Sequence, residues 1–285
     1  MTPDRFALGS FNVHRVGFGA MQLPGPGVFG PPRDHDEAVA VLRRAVELGV
    51  DHIDTAQFYG PDVSNELIRE ALHPYPDDLA LVSKVGGRRD ETGAWLAVET
   101  LAGLRADLEA NLRTLGTEQL AAVNLRVMDG EEPDEKFDAK LDVMITARTD
   151  GLIGGIGLSN VSHAQLLHAL GRTEITCVQN PYNLVDRSSQ PVLDECTTRG
   201  IAFVPFFPLG SAFAQDNPVL GNEVVRQTAA EMDRTPAQVA LAWTLGVAPN
   251  VLLIPGTSSR AHLEQNVAVA EIALDAQTRA RLDTV

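Results

Sequence analysis

Cysteine, basic charge and long apolar runs are all scarce in this sequence. Its two cysteines, Cys177 in an apparent strand and Cys196 in an apparent helix, fit reduced core thiols better than a disulfide framework. No window approaches about 18 uninterrupted apolar residues, and the N-terminus lacks a basic start, a following apolar stretch and a cleavage site. We therefore expect neither a membrane span nor export, and we expect a cytoplasmic location.

Acidic residues outnumber basic ones, and the formal net charge is -15. Such a charge disfavours nucleic acid and anionic membranes as partners of the whole surface. The seven histidines show no metal-ligand spacing, and we expect no metal.

The overall composition is that of an ordinary globular protein. Hydrophobic residues make up 44% of the 285 positions and charged residues 21%, which is enough for a full core. No linker rich in proline, glycine or serine divides the chain, and no internal repeat is evident. We expect one domain over residues 1–285, as a monomer or a weak oligomer.

Helical and strand patterns alternate along the chain. In residues 33–49 the apolar positions recur at helical spacing, and Gly49 ends the stretch as a C-terminal cap. Short apolar runs, typical of strands covered on both faces, occur at 15–21, 50–54, 79–84, 120–127, 153–159, 175–180, 201–207 and 251–255. Eight strands alternating with helices predict an α/β fold, a closed parallel (β/α)₈ or TIM barrel. The opening segment FALGSFNVHR predicts a short β-hairpin across its bottom.

Three polar residues stand at predicted strand ends, where such barrels carry their chemistry. Asp54 ends the strand at 50–54, Tyr59 follows on the next loop, and Lys84 ends the strand at 79–84. If the two strands are parallel neighbours, the three side chains converge on one rim.

Together these residues suit proton transfer to a carbonyl oxygen. A phenol is a poor proton donor near neutral pH because its unperturbed pKa is about 10. A nearby ammonium favours the phenolate, and a buried aspartate keeps that ammonium charged and oriented. We assign Tyr59 as proton donor, Lys84 as the residue that assists it and Asp54 as the anchor of Lys84. Taken singly, each residue is read more simply as a turn or cap; jointly they indicate a nicotinamide-dependent carbonyl reductase.

Further segments resemble the aldo-keto reductase family over essentially the whole chain. The matching motifs are GFGAM (17–21), GIGLSN (155–160), VQNPYN (178–183), FFPLGS (206–211) and IPGTSSRAHLEQN (254–266). The resemblance implies a barrel that binds NADP(H) across its top without a Rossmann domain, with NADPH preferred. The cofactor-binding residues it implies are Gly19, Ala20, Met21, Asp54, Ser159, Asn160, Gln179, Phe206, Phe207, Leu209, Gly210, Ser211, Gly256, Thr257, Ser258, Arg260, His262, Gln265 and Asn266.

The resemblance also implies what each group of these residues contacts. Ser159, Asn160 and Gln179 would hold the nicotinamide carboxamide, and Phe206 would stack on the ring. Residues 209–211 would approach the pyrophosphate. The adenosine end would meet Thr257, Ser258, Arg260 and His262 at the 2′-phosphate, and Gln265 and Asn266 near adenine.

One position departs from the family pattern. Where the family usually has a histidine at the end of strand four, VNLRV places Arg126. A guanidinium cannot supply a proton at usable pH, but it can stabilise developing negative charge on a carbonyl oxygen. The alternative is that Arg126 points outward in a surface salt bridge. The strings GAMQLPGPGVFGPPRD and VPFFPLG further resemble a bacterial subgroup that includes a pyridoxal reductase, and we hypothesise that Arg126 pairs with the ionised ring hydroxyl of pyridoxal.

Several weaker patterns have simpler readings. GPGVFG (25–30) matches a dinucleotide fingerprint by letter, but its flanking prolines predict a stiff rim loop. His52 shares the strand with Asp54 and either supports the site or, as we favour, is a hydrogen-bonded core or bottom-facing histidine. Trp95 either walls the substrate pocket or only packs its loop, and Arg88 and Arg89 either attract an anionic substrate or do not reach it.

The favoured function is NADPH-dependent reduction of a small aldehyde, with Arg126, Tyr59, Lys84 and Asp54 as catalytic residues and pyridoxal, reduced to pyridoxine, as the favoured substrate. Two alternatives stay open: a general aldehyde or ketone reductase of broad specificity, and a non-catalytic NADP(H)-binding sensor or accessory protein.

Overall fold

The computed structural model describes residues 4–128, 132–211 and 216–285. Its strands are β1 (Arg5–Leu8), β2 (Phe11–His14), β3 (Phe18–Gly19), β4 (His52–Asp54), β5 (Ala80–Val85), β6 (Gly87–Arg89), β7 (Trp95–Ala97), β8 (Ala122–Arg126), β9 (Ile156–Ser159), β10 (Cys177–Gln179) and β11 (Ala202–Phe203). Its α-helices are α1 (His35–Glu47), α2 (Val63–Leu72), α3 (Leu101–Leu115), α4 (Glu135–Thr149), α5 (His163–Leu170), α6 (Gln190–Arg199), α7 (Glu223–Glu231), α8 (Pro236–Leu245), α9 (Arg260–Val267) and α10 (Ala276–Leu282). Within the described ranges, none of these helices is long and apolar enough to cross a membrane.

The main sheet is parallel, with strand order β11-β10-β9-β8-β5-β4-β3. Residues 251–253 close it as an eighth strand that makes isolated parallel bridges on both sides, from Val251 to Phe203 and from Leu253 to Val16. The amide of Leu253 donates to the carbonyl of Arg15 at 2.7 Å. The sheet therefore closes on itself, and the predicted (β/α)₈ barrel is confirmed.

Helix α1 shows why the helices form where the pattern predicts them. The side chain of Asp34 caps its first turn by accepting from the amide of Glu37 at 3.0 Å, as an N-cap aspartate does. Val41 and Leu42 on its apolar face are fully buried. Gly49, with φ of +87°, takes the left-handed conformation that ends the helix.

The N-terminal hairpin of β1 and β2 covers one end of the barrel. Leu8 and Val13 pack against small side chains that point into the barrel, namely Ala80, Val82, Ala122, Cys177 and Ala202. Asp51, just before β4, accepts from Arg5 Nη2 at 2.6 Å and from the His14 amide at 2.9 Å. The hairpin thus seals the amino-terminal ends of the strands, as predicted, and the opposite rim is left for a site.

The structure corrects the strand lengths of the sequence prediction. Several strands are shorter than their apolar runs: β11 spans only Ala202–Phe203, and Pro205 beyond it has no amide to extend a ladder. His52 is buried at the barrel bottom. Gly17 packs directly against this imidazole. Burial lowers the pKa of His52 to about 4, and the charge of Asp51 and hydrogen bonding with the His14 backbone oppose this change.

Candidate active site

A cavity of about 860 Å³ opens at the carboxyl-terminal rim of the barrel. It is lined mainly by apolar and aromatic side chains, with a few polar groups at its base, which is the usual character of a small-molecule site. Of the residues that were predicted for the site, those that line it are Gly19, Met21, Asp54, Tyr59, Lys84, Arg126, Gln179, Phe206, Phe207, Leu209, Gly210, Gly256, Thr257 and Ser258.

Asp54, Lys84 and Tyr59 meet at the base of this cavity. Because β4 and β5 are parallel neighbours, Asp54 at the end of β4 and Lys84 in β5 reach the same level. The ammonium of Lys84 donates to Asp54 Oδ1 and to the carbonyl of Thr55 at 3.0 Å. Lys84 Nζ lies 5.0 Å from the centre of the Tyr59 ring. The predicted convergence of the three side chains is therefore present in the structure.

The lysine and aspartate form a buried ion pair, with side-chain exposures of 5% and 4%. Burial by itself lowers the pKa of the Lys84 ammonium, but the carboxylate of Asp54 and the hydroxyl of Tyr59 outweigh burial, so the pKa of Lys84 is raised overall. Lys84 thus stays charged beside the phenol at neutral pH.

Gln179 carries an unsatisfied acceptor in the same region. Its side-chain amide nitrogen donates to Asp54 Oδ2 at 2.5 Å, which fixes the orientation of the side chain. Its oxygen Oε1 is buried and has no hydrogen-bond partner among the described residues. Because a buried acceptor without a donor is costly, this oxygen marks a position for a ligand donor.

Arg126 points into the cavity from the end of β8. Its Nη1 donates to the hydroxyl of Ser159 at 3.1 Å, and its guanidinium lies 5.1 Å from the centre of the Phe206 ring. The pKa of this guanidinium is lowered overall, because the effect of burial exceeds the opposing effect of the nearby Tyr59. Arg126 makes no salt bridge within the described part of the chain. The outward orientation is excluded, and the site contains a positive charge for which residues 4–128, 132–211 and 216–285 provide no carboxylate partner.

An aromatic wall stands over one side of the cavity. The ring of Phe58 meets those of Tyr59 and Trp95 edge to face, at 5.3 Å and 5.7 Å. The hairpin of β6 and β7, which sequence patterns did not predict, carries Trp95 to the wall. Of the two alternatives for Trp95, the pocket wall is therefore the one observed.

The two arginines near Trp95 have structural partners. The guanidinium of Arg89 lies 4.0 Å from the centre of the Trp95 ring and donates to the carbonyls of Gly27 and Val28 at 2.8 Å and 3.1 Å. It thereby ties the hairpin to the GPGVFG loop, which contains a 3-10 turn rather than a dinucleotide fold. Arg88 instead bonds to Asp107 at 3.1 Å. Neither arginine lines the cavity.

The barrel is closed tightly beside the cavity by two glycines that face each other. A Cβ on Gly19 would lie 2.4 Å from the carbonyl oxygen of Ile254, and a Cβ on Gly256 would lie 2.6 Å from that of Gly19. Both contacts are with backbone atoms, which cannot move aside easily. Glycine is therefore required at these positions by the close approach of β3 to the last strand.

The other predicted residues lie outside the lining. Ala20 is buried below the rim, and Ser159 lies behind Arg126. Asn160 bonds to the carbonyl of Val127 at 2.9 Å, and Arg260 to Glu37. Of the described residues, those predicted for the site that do not line the cavity are Ala20, Ser159, Asn160, Ser211, Arg260, His262, Gln265 and Asn266.

The prediction also missed several residues of the lining. These are Gln22, Phe58, Met128, Pro205, Pro208, Asn217, Leu220, Ile254 and Pro255. Phe58 and Met128 follow strand ends closely, and this position in the sequence could have indicated that they line the cavity. Asn217 lies further along, and it reaches the site because its amide donates to the carbonyl of Leu209 at 2.7 Å.

Comparison with known proteins gives a consistent result. Residues 15–285 match the model of the Aldo/keto reductase family. The chain is 48% identical over 288 residues to the pyridoxine 4-dehydrogenase of Escherichia coli. This alignment covers 100% of the chain and 99% of the E. coli protein. An uncharacterised oxidoreductase of Schizosaccharomyces pombe is 37% identical, over 97% of this chain and 88% of its own.

Among solved structures, an aldo/keto reductase from Klebsiella pneumoniae in complex with NADP and acetate superimposes with a TM-score of 0.81. It is 25% identical, and the match covers 99% of this chain and 94% of that one.

Proposed function

We propose that this chain, which belongs to the aldo/keto reductase family, is an NADPH-dependent reductase of small aldehydes, with pyridoxal as its favoured substrate. The observation that carries the reductase assignment is the Tyr59 hydroxyl group set beside the buried Lys84–Asp54 pair. The match to pyridoxine 4-dehydrogenase over the full chain supports the substrate.

The residues of the cavity fit NADP(H). The Oε1 of Gln179, which has no hydrogen-bond partner among the described residues, is suited to accept from a nicotinamide carboxamide. Phe206 also lines the cavity and offers an aromatic ring. Leu209 and Gly210 line the cavity and would approach the pyrophosphate. Thr257 and Ser258 line the cavity just before α9, where a helix N-terminus favours phosphate. A fit to NADP is supported by the K. pneumoniae neighbour, which binds it.

When bound, the nicotinamide would supply the hydride that reduces the carbonyl carbon. The hydroxyl of Tyr59 would donate its proton to the carbonyl oxygen. Lys84 would stabilise the resulting phenolate, because its ammonium is held charged by Asp54. The aromatic wall would exclude water from the reacting atoms.

Arg126 provides a reason for a substrate that carries negative charge. Its guanidinium is largely desolvated and has no acidic partner in the described ranges. The attraction of a ligand anion would therefore offset the free-energy cost of burying this charge. The ionised ring hydroxyl of pyridoxal is such an anion, and its flat ring suits the wall of Phe58 and Trp95. Arg126 would also orient the aldehyde and stabilise charge on its oxygen.

Replacing Tyr59 by phenylalanine tests the reductase mechanism. We expect kcat for pyridoxal to fall by about 10²- to 10⁴-fold, the usual contribution of a general acid, while the Kd for NADPH stays unchanged. Tyr182→Phe is the matched control, because Tyr182 is another buried tyrosine that bonds to Gln190 and does not line the cavity. Full turnover by Tyr59→Phe would contradict the mechanism. Binding of NADPH without turnover by the wild type would favour the sensor instead.

Replacing Arg126 by methionine tests the substrate assignment. The assay compares kcat/KM for pyridoxal with that for 4-pyridinecarboxaldehyde, which has the same ring and aldehyde position but no ring hydroxyl. We expect the preference for pyridoxal to fall about tenfold or more, the effect of losing a charge-assisted contact of about 1.5 kcal/mol. If Arg126→Met slows both aldehydes equally, Arg126 does not pair with the hydroxyl.

A further inference from the structure

The first turn of α9 has no side-chain cap from its own N-cap residue. Ser259 precedes this helix, and its side chain makes no capping hydrogen bond. Thr257 and Ser258, just before it, line the cavity. The first amides of a helix lack partners and carry partial positive charge. Arg260, the first residue of α9, adds a full positive charge.

A carboxylate from another helix occupies this position. Glu37, in the first turn of α1, accepts from the backbone amide of Arg260 at 3.3 Å and from its Nε at 3.2 Å and 3.1 Å. Its second oxygen also lies 3.0 Å from Nη2. Hydrogen bonding from Arg260 lowers the pKa of the Glu37 carboxyl below its usual value. Glu37 is therefore negatively charged at neutral pH and bound to both the helix start and the guanidinium.

The charged Glu37 beside Arg260 would oppose a phosphate on the 2′ position of the adenosine ribose and would tolerate a hydroxyl there. A phosphate monoester on the adenosine ribose would compete with Glu37 for the donors of Arg260 and would meet like charge at close range. A free ribose 2′-hydroxyl is neutral and can donate to a carboxylate, which is how an acidic residue favours NAD over NADP in dinucleotide-binding folds. The same carboxylate would thus weaken one cofactor and not the other.

We propose that Glu37 is a specificity-determining residue that limits the preference of this enzyme for NADPH over NADH by competing with the adenosine 2′-phosphate for Arg260 and the start of α9. This inference rests on the proposed function, because it takes the adenosine 2′-phosphate of the proposed cofactor to reach Arg260, which does not line the cavity itself but follows the lining residues Thr257 and Ser258 closely. It predicts that removing the charge of Glu37 makes the enzyme more selective for NADPH.

The chain offers a matched control for the loss of one acid between α1 and α9. Arg44 of α1 bonds to Glu264 of α9, with Nε 3.0 Å from the carboxylate. This second pair also joins the two helices, but Glu264 is a full turn further along α9. The helices remain connected in Glu37→Gln through this pair, and Glu264→Gln removes equal charge without touching the helix start.

The experiment measures the Kd of adenosine 2′,5′-bisphosphate and of adenosine 5′-monophosphate, which differ only in the 2′-phosphate, by calorimetry at about 0.15 M salt, where screening is physiological. For Glu37→Gln we expect the bisphosphate to bind about three- to tenfold more tightly, as expected when a like charge is removed near an anion. The monophosphate should not tighten. In Glu37→Gln the KM for NADPH should fall, as for the bisphosphate, and the KM for NADH should not fall. Glu264→Gln should leave the ratio of the two Kd values at its wild-type level.

Three results would overturn the proposal. If Glu37→Gln leaves the ratio unchanged while NADPH still binds, Glu37 does not compete and only this inference fails. If Glu37→Gln binds the bisphosphate more weakly, the carboxylate orients Arg260 instead of blocking it. If neither the wild type nor Glu37→Gln binds the bisphosphate or NADPH, the proposed function fails and this inference with it.

Discussion

Replacing His52 by leucine should flatten the dependence of stability on pH below neutrality. In the folded chain burial lowers the pKa of His52 from 6.5 to about 4, whereas the unfolded chain regains the ordinary value. The unfolded state therefore binds a proton more readily, and His52 makes the protein less stable as the pH falls from about 6.5 towards 4. Above about pH 6.5 both states are neutral at this position, and the effect disappears.

The magnitude follows from the two pKa values. At pH 5 nearly every unfolded chain would carry the proton and about one folded chain in ten would do so, which corresponds to about 2 kcal/mol; the full shift corresponds to about 3 kcal/mol. The assay is urea unfolding at pH 8 and at pH 5 for both proteins. We expect wild type to lose about 2 kcal/mol more than His52→Leu between these pH values. Equal losses would refute the assignment of a buried, neutral His52.

Two further predictions concern the site. Lys84→Met should leave the Asp54 carboxylate buried without its cation and lower the stability by about 3–5 kcal/mol, measured by urea unfolding; no loss would mean that the pair is not formed. Arg89→Met should release Trp95 and raise KM for aromatic aldehydes about three- to tenfold while kcat changes less than about twofold. Arg88→Met is the control for that assay, because Arg88 bonds to Asp107 away from the cavity, and equal effects of the two variants would contradict a positioning role for Arg89.

The barrel and its catalytic rim were predictable because their signals are local and repeated. Apolar runs bounded by turns mark each strand, and an α/β barrel brings all strand ends to one rim. Asp54, Tyr59 and Lys84 could therefore be brought together without knowing any loop. Strand lengths were overestimated where a proline such as Pro205 removed a donor that the apolar pattern does not register.

The features that the sequence did not predict depend on packing between distant segments of the chain. The hairpin that carries Trp95 is held by contacts of Arg89 with residues about 60 positions away, and no local pattern indicates them. The packing of His52 against Gly17 and the pairing of Glu37 with Arg260 also arise only when distant segments meet. The division of residues 1–285 into one domain, the cytoplasmic location and the monomeric or weakly oligomeric state stay predictions.

NADPH oxidation by the purified protein, with pyridoxal beside a panel of aliphatic, aromatic and sugar aldehydes, tests the central claim most directly. We predict a kcat/KM for pyridoxal well above that for the other aldehydes of the panel, because pyridoxal would present both a flat ring to Phe58 and Trp95 and an anionic hydroxyl to Arg126. Weak and similar values across the panel would contradict the pyridoxal assignment and indicate a general reductase, and no oxidation with any aldehyde would contradict the enzyme assignment itself.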